Sequence, residues 1–95
     1  MTETLAATLT GFQRDLLVII AGMTNTSGQE IKEEIEKEYS GEINHGRLYP
    51  NLDTLVNREL VEKGKTDRRT NSYDLTEEGY EALENHREWE DQYFS

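Results

Sequence analysis

The sequence predicts a mainly α fold with one small β-hairpin, on three observations. Apolar residues recur three and four positions apart in four separate stretches, the period of amphipathic helices. Two of those stretches open on a capping box, Thr10-Gly11-Phe12-Gln13 and Ser27-Gly28-Gln29-Glu30, in which hydroxyl and carboxyl or amide satisfy orphan backbone donors reciprocally. After Arg58 and Glu59 the period shortens, and two brief runs flank a polar turn, the pattern of a hairpin.

Residues 1–9 read as an arm that could fray, although Leu5 and Leu9 continue the spacing of Phe12, Leu16, Ile19 and Met23. The first helix, roughly 11–23, is apolar around most of its circumference through Leu16, Leu17, Val18, Ile19 and Ile20, so it is expected to be the central core helix, buried on several sides. Thr24-Asn25-Thr26 ends it. The second helix runs from the Ser27 cap to about Tyr39, with Ile31, Ile35 and Tyr39 inward. Its charged run from Lys32 to Glu38 reads as a solvated outer face. Ser40-Gly41 breaks this helix, Ile43 anchors the turn, and Asn44 can cap the next. In the third helix Leu48, Leu52 and Leu55 form the inner stripe. Pro50 removes a backbone donor and crowds the carbonyl of Gly46; it either shapes the helix surface or is simply tolerated near the helix start.

Leu60–Lys65 and Asn71–Leu75 then read as two strands joined by Thr66–Thr70, anchored by Leu60, Val61, Tyr73 and Leu75. Thr76 caps a last helix whose first turn carries Glu77 and Glu78, suited to its positive end. Helix, short turn with Gly, helix, then a hairpin is the order of a winged helix-turn-helix. Residues 1–75 make that domain, and residues 76–95 a C-terminal helix.

The formal net charge is -10, twenty acids against ten bases. As a total this opposes duplex binding, whose affinity comes largely from Lys and Arg on phosphates. The distribution is polarised. Arg58, Lys63, Lys65, Arg68 and Arg69 are half of all bases within twelve positions, whereas from Asp74 onward there are eight acids and one base. Such an acidic excess also fits a cytoplasm of very high salt, that of a halophile. No cysteine is present, excluding disulfides and thiolate metal sites. The longest apolar run, Leu16–Ala21, is far short of a membrane span, and the N-terminus lacks a signal-peptide pattern, so a cytoplasmic protein with no membrane partner is expected.

The third helix draws the functional reading. Asn44, Arg47, Asn51, Thr54 and Arg58 recur at spacings of three and four opposite the leucines, and these are side chains that bond base edges and phosphates. An ordinary amphipathic helix facing water would also be polar there. The hairpin that follows, with Arg68 and Arg69 at its tip, has the shape of a wing reaching along a phosphate backbone. The double-stranded DNA contacts expected are therefore Asn44, His45, Arg47, Tyr49, Asn51, Thr54 and Arg58 on helix 45–58, with Lys65, Arg68 and Arg69 on wing 65–70. On the last helix Tyr80, Leu83, His86, Trp89 and Tyr93 form a loose apolar stripe, flanked by Ala82 and Phe94. Aromatics this large, beyond what a three-helix core covers, predict a homodimer interface through Tyr80, Leu83, His86, Trp89, Tyr93 and Phe94, against the alternative that the helix folds back on its own domain.

These residues carry a resemblance to the PadR family of winged-helix transcriptional regulators. It rests on Ser27-Gly28-Gln29-Glu30-Ile31, on Gly46-Arg47-Leu48-Tyr49-Pro50-Asn51-Leu52, on Leu55, Leu60-Val61 and Arg68-Arg69, and on Tyr73-Asp74-Leu75-Thr76-Glu77-Glu78-Gly79. It covers about residues 9–85. The resemblance implies a homodimeric repressor with the third helix in the major groove, the wing on the backbone and dimerisation through the C-terminal helix. Some members of the family bind small effectors near the dimer interface, which makes Trp89 a candidate contact. The single helix after the wing resembles the smaller subfamily. The acidity departs from most DNA-binding relatives.

An enzyme is not expected, nor any cofactor. His45 and His86 are the only histidines and sit in no metal-ligand or nucleophile motif, and no Gly-rich phosphate loop is present. The alternative function is a winged-helix protein-interaction module or DNA mimic that does not bind DNA, against which stand Arg47, Arg58, Arg68 and Arg69.

Overall fold

A computed structural model describes residues 5–66 and 70–94. A single 3-10 turn, Leu5–Thr8, leads into α1 (Gly11–Ala21). A two-residue strand β1 (Thr26–Ser27) precedes α2 (Gly28–Tyr39) and α3 (His45–Asn57). The hairpin β2 (Val61–Lys65) and β3 (Asn71–Leu75) follows, and α4 (Glu77–Phe94) ends the described chain. The fold is the expected mainly α winged helix-turn-helix, with one addition. The sheet has three antiparallel strands in the order β1-β3-β2, Thr26 opposite Tyr73 and Val61 opposite Leu75. A two-residue strand is too short to show a period, so the run from Thr24 to the Ser27 cap carries no strand signal.

Both capping boxes form. Thr10 Oγ1 accepts from the Gln13 N–H while Gln13 Oε1 accepts from the Thr10 N–H, each at 3.1 Å. Ser27 and Glu30 do the same at 3.1 and 2.9 Å. Each box satisfies two donors that the helix cannot, a cap being worth about 1 kcal/mol.

The core gathers Phe12, Leu16, Leu17 and Ile20 of α1, Ile31 and Ile35 of α2, Leu48, Leu52 and Leu55 of α3, and Leu60, Val61 and Tyr73 of the hairpin. α1 is the expected central helix, packed against α2, α3, α4 and β3, and Val18 is left 56% exposed because the buried positions Phe12, Leu16, Leu17 and Ile20 occupy one arc. One expectation needs correction: residues 5–9 do not form a frayed arm. Ala6 and Leu9 are buried, the turn packs against α4, and Arg14 Nη1 donates to the Leu9 carbonyl at 3.0 Å. Residues 1–4 of the expected arm lie outside the described residues.

Thr76 fixes the start of α4 from two sides. Its Oγ1 accepts from the Gly79 N–H at 3.0 Å and donates to the Glu59 carbonyl at 2.7 Å, at a residue whose φ of 63° lies in the left-handed region. Gly79 is buried where α4 crosses the start of the hairpin. A Cβ built there would stand 2.2 Å from the Leu60 carbonyl oxygen. With Gly79 and Ala82 buried and Leu83 packed on the core, the first turns of α4 belong to the same body as α1–α3.

Candidate nucleic-acid interface

The placement of α3 begins with its cap and the turn before it. Asn44 Oδ1 accepts from the Arg47 N–H at 2.9 Å. One residue earlier, the Ile43 N–H donates to Glu36 Oε2 at 2.8 Å, and Lys32 Nζ donates to the same oxygen at 2.8 Å. The bond from Lys32 and then that from Ile43 hold the Glu36 carboxyl below its ordinary 4.5, and the bond to Glu36 raises Lys32 above 10.5. Their side chains are only 24% and 13% exposed, so the charged run of α2 is not merely a solvated face. Glu36 ties α2 to the turn that aims α3, a role its place among five other charges concealed. On the other side, Gly28 at the start of α2 lets the Tyr49 ring pass; a Cβ there would lie 2.6 Å from the Tyr49 hydroxyl oxygen.

With Leu48, Leu52 and Leu55 buried, the face of α3 opposite them is a ridge of Gly46, Pro50, Asp53 and Asn57, all exposed. This differs from the expected outer stripe. Arg47 is exposed but its guanidinium lies 4.0 Å over the Phe12 ring and 5.7 Å from that of Tyr39, a cation–π seat on the flank. Asn51 is half-buried, accepting from Gln13 Nε2 at 2.9 Å and donating to the Arg47 carbonyl at 2.7 Å, so it braces α3 against α1. Thr54 donates back to the Pro50 carbonyl at 3.1 Å. Arg58 donates to Thr8. Spacings of three and four do define a stripe, but the arc they trace is centred well to one side of the helix exterior. The opposite flank carries exposed His45, edge-on to Tyr49 with ring centroids 5.4 Å apart. Pro50 is exposed at the middle of the ridge.

The hairpin stands beside α3. Lys63 Nζ of β2 lies 4.0 Å from Asp53 Oδ1. Lys65 is exposed, and the Thr66 N–H donates to the Thr70 carbonyl at 3.0 Å across the base of the tip. Arg68 and Arg69, expected at that tip, lie outside the described residues. Beneath the ridge Tyr73 is buried with its hydroxyl unpaired among the described residues, and burial pushes that hydroxyl above 10.0.

Of the six aromatic and apolar residues expected on the α4 surface, four are well exposed: Tyr80 at 57%, Trp89 at 51%, Tyr93 at 70% and Phe94 at 84%. His86 is half-buried and stacks on Trp89 at 5.5 Å, Trp89 lies 5.3 Å from Tyr93, and Leu83 packs on the core. Phe94, Leu83 and the exposed Val18 line one groove between α1 and α4. Val18 lies within an apolar run of a helix expected to be buried on several sides, so the sequence carries no signal that it faces outward. Among the described residues no cluster of His, Asp or Glu is arranged to hold a metal ion, and no helix is long and apolar enough to cross a membrane.

The profile of the transcriptional regulator PadR-like family matches residues 16–85. The chain belongs to that family. Its PadR-like members are regulators and not enzymes, in agreement with the sequence reading. Among solved structures, RosR of H. salinarum, in crystals grown from NaBr, is 49% identical with a TM-score of 0.88 over 94% of this chain and 80% of its own. A PadR-like transcription factor from Bacteroides fragilis, 20% identical, superposes with a TM-score of 0.70 over 85% of this chain and 82% of its own. FabT of Streptococcus pneumoniae, solved in complex with DNA, is 15% identical with a TM-score of 0.74 over 92% of this chain and 58% of its own. The last two share the fold alone. No curated protein matches the sequence.

Proposed function

We propose that this PadR-like protein is a sequence-specific regulator of transcription that binds double-stranded DNA as a homodimer and represses from a palindromic operator. The observation that carries the reading is the seating of α3. It is capped by Asn44, aimed by Glu36 through Ile43, and presents an unobstructed ridge away from the core with the hairpin beside it. A helix held this way fits the major groove, while Lys65, Arg68 and Arg69 reach the flanking backbone. The Arg47, His45 and Tyr49 side chains flank the ridge and meet the groove walls. FabT, with the same fold, has been solved on DNA, which favours the reading.

The two-fold partner follows from α4. Tyr80, Trp89, Tyr93 and Phe94 are exposed aromatics on one terminal helix, with Val18 alongside, and a second copy would cover them. Two half-sites one helical turn apart would then be read together. The His86–Trp89–Tyr93 ladder offers a small aromatic effector a stacking surface at that interface. The net charge of -10 belongs with a high-salt cytoplasm. There, cations between carboxylates and phosphates offset the repulsion, so affinity falls with salt far less steeply than ordinary counterion release dictates.

The test is selection from a pool of random duplexes, repeated from low to molar potassium chloride. Enrichment of a palindromic motif, with a shallow or reversed salt trend, is the expected result. A folded sample that enriches nothing at any salt would overturn it in favour of a protein-interaction module.

A further inference from the structure

The ridge that α3 presents carries no basic residue: its members are Gly46, Pro50, Asp53 and Asn57. The one formally charged side chain on it is Asp53, 58% exposed and one turn from both Pro50 and Asn57. An aspartate in that place is informative because it cannot serve the usual purpose of a groove-facing charge. It repels phosphates, and an ionised carboxylate is an acceptor only, with room for several donors on its two oxygens. The Lys63 ammonium of β2, 4.0 Å from Oδ1, offsets part of the repulsion without a hydrogen bond, so the 58% exposed carboxylate keeps its acceptor capacity.

We propose that Asp53 is a specificity-determining residue whose carboxylate accepts a hydrogen bond from the exocyclic amino group of a cytosine in the major groove. The inference rests on the docking of α3 set out above and names what its ridge reads. The donor must be a base amino group, since only cytosine N4 and adenine N6 donate from the major-groove edge. Cytosine is the better partner. Adenine N6 lies between two acceptors, its own N7 and the thymine O4, and both repel a carboxylate. Cytosine N4 has an acceptor on one side only, the guanine O6. The negative charge also acts by exclusion. A guanine or thymine presented to Asp53 sets acceptor against acceptor, so wrong bases are rejected as well as the right one retained.

The experiment is the duplex selection run in parallel on the full chain, Asp53→Ala and Asp53→Asn at one potassium chloride concentration, with melting curves to establish that each variant is folded. The wild type is expected to enrich cytosine at one position per half-site. Asp53→Ala keeps the rest of the motif and loses that preference, on the order of tenfold in discrimination. Asp53→Asn, which both donates and accepts, moves the preference at that position to adenine. Asp53 is exposed and the Asn variant is isosteric, so it carries the test even if the Ala variant folds poorly. The same base profile from all three proteins would overturn the assignment while leaving the regulator intact. So would loss of a base other than cytosine. A wild type that enriches no motif would sink the docking reading first and this inference with it.

Discussion

Gly79→Ala sets two physical effects of opposite sign against each other. Gly79 is the third residue of α4, and Ala is better than Gly in a helix by about 1 kcal/mol, so propensity alone predicts a more stable protein. The tertiary structure predicts the reverse. The new Cβ would stand 2.2 Å from the Leu60 carbonyl oxygen, 2.7 Å from Leu75 Cδ1 and 3.2 Å from the Leu60 carbonyl carbon. Leu75 can rotate away, but the Leu60 carbonyl cannot: it already accepts from the Thr76 N–H at 3.1 Å. To reach ordinary contact α4 must retreat by about 1 Å, disturbing the Thr76 cap and the burial of Ala82. Overpacking of this kind costs about 1–3 kcal/mol, and a backbone clash belongs at the upper end. Set against the propensity gain, the net loss is about 2 kcal/mol, or a melting temperature lower by roughly 8–16 °C for a domain of this size. Gly11→Ala is the control. It also sits in a helix, at the start of α1, and its Cβ would meet nothing within 4 Å, so that variant should melt at or above the parent temperature. Calorimetry at fixed protein and salt concentration reads both, since association would shift either midpoint. A Gly79→Ala protein that melts as high as Gly11→Ala would refute the steric argument.

Three further outcomes are expected. Glu36→Gln should destabilise the protein at neutral pH and flatten its acid response. The wild-type carboxyl is held below 4.5 by Lys32 and Ile43, so its contribution is complete above that value and is lost as pH falls through the depressed folded value. Parallel melting curves for the two proteins from pH 7 to 3 would remove Glu36 as the tie between α2 and the turn. Arg47→Ala, at the groove wall, and Arg69→Ala, on the wing, should each weaken specific and scrambled duplexes by a similar factor; titrations on both duplexes check this, and binding left intact by both variants would discredit the docking. Replacing Trp89 and Tyr93 together by Ala should turn a dimer into a folded monomer, because both side chains are exposed on one protomer. Sedimentation of the parent at micromolar concentration checks this, and a monomeric parent would end the dimer proposal.

The sequence by itself determined the four helices, the hairpin and their order, but not the two-residue strand β1. Local chemistry is written locally: Thr10 with Gln13, Ser27 with Glu30 and Asn44 with the Arg47 N–H lie three residues apart, so the caps could be read from spacing alone. The leucine stripe of α3 and the hairpin anchors Leu60, Val61 and Tyr73 were equally legible, because burial imposes a period on consecutive residues. What only the tertiary structure decided are relations between residues far apart in the chain. Asn51 has the right chemistry for a base edge, but Gln13, thirty-eight positions away, claims its carbonyl. Arg47 has the right charge, but Phe12 and Tyr39 offer it a seat. Val18 belongs to an apolar run, and only the direction from which α2, α3 and the hairpin pack leaves it outside. Asp53 gained its place for the same reason. A period shows which residues share a face of a helix, but how far each flank is covered depends on neighbours that sequence spacing does not name.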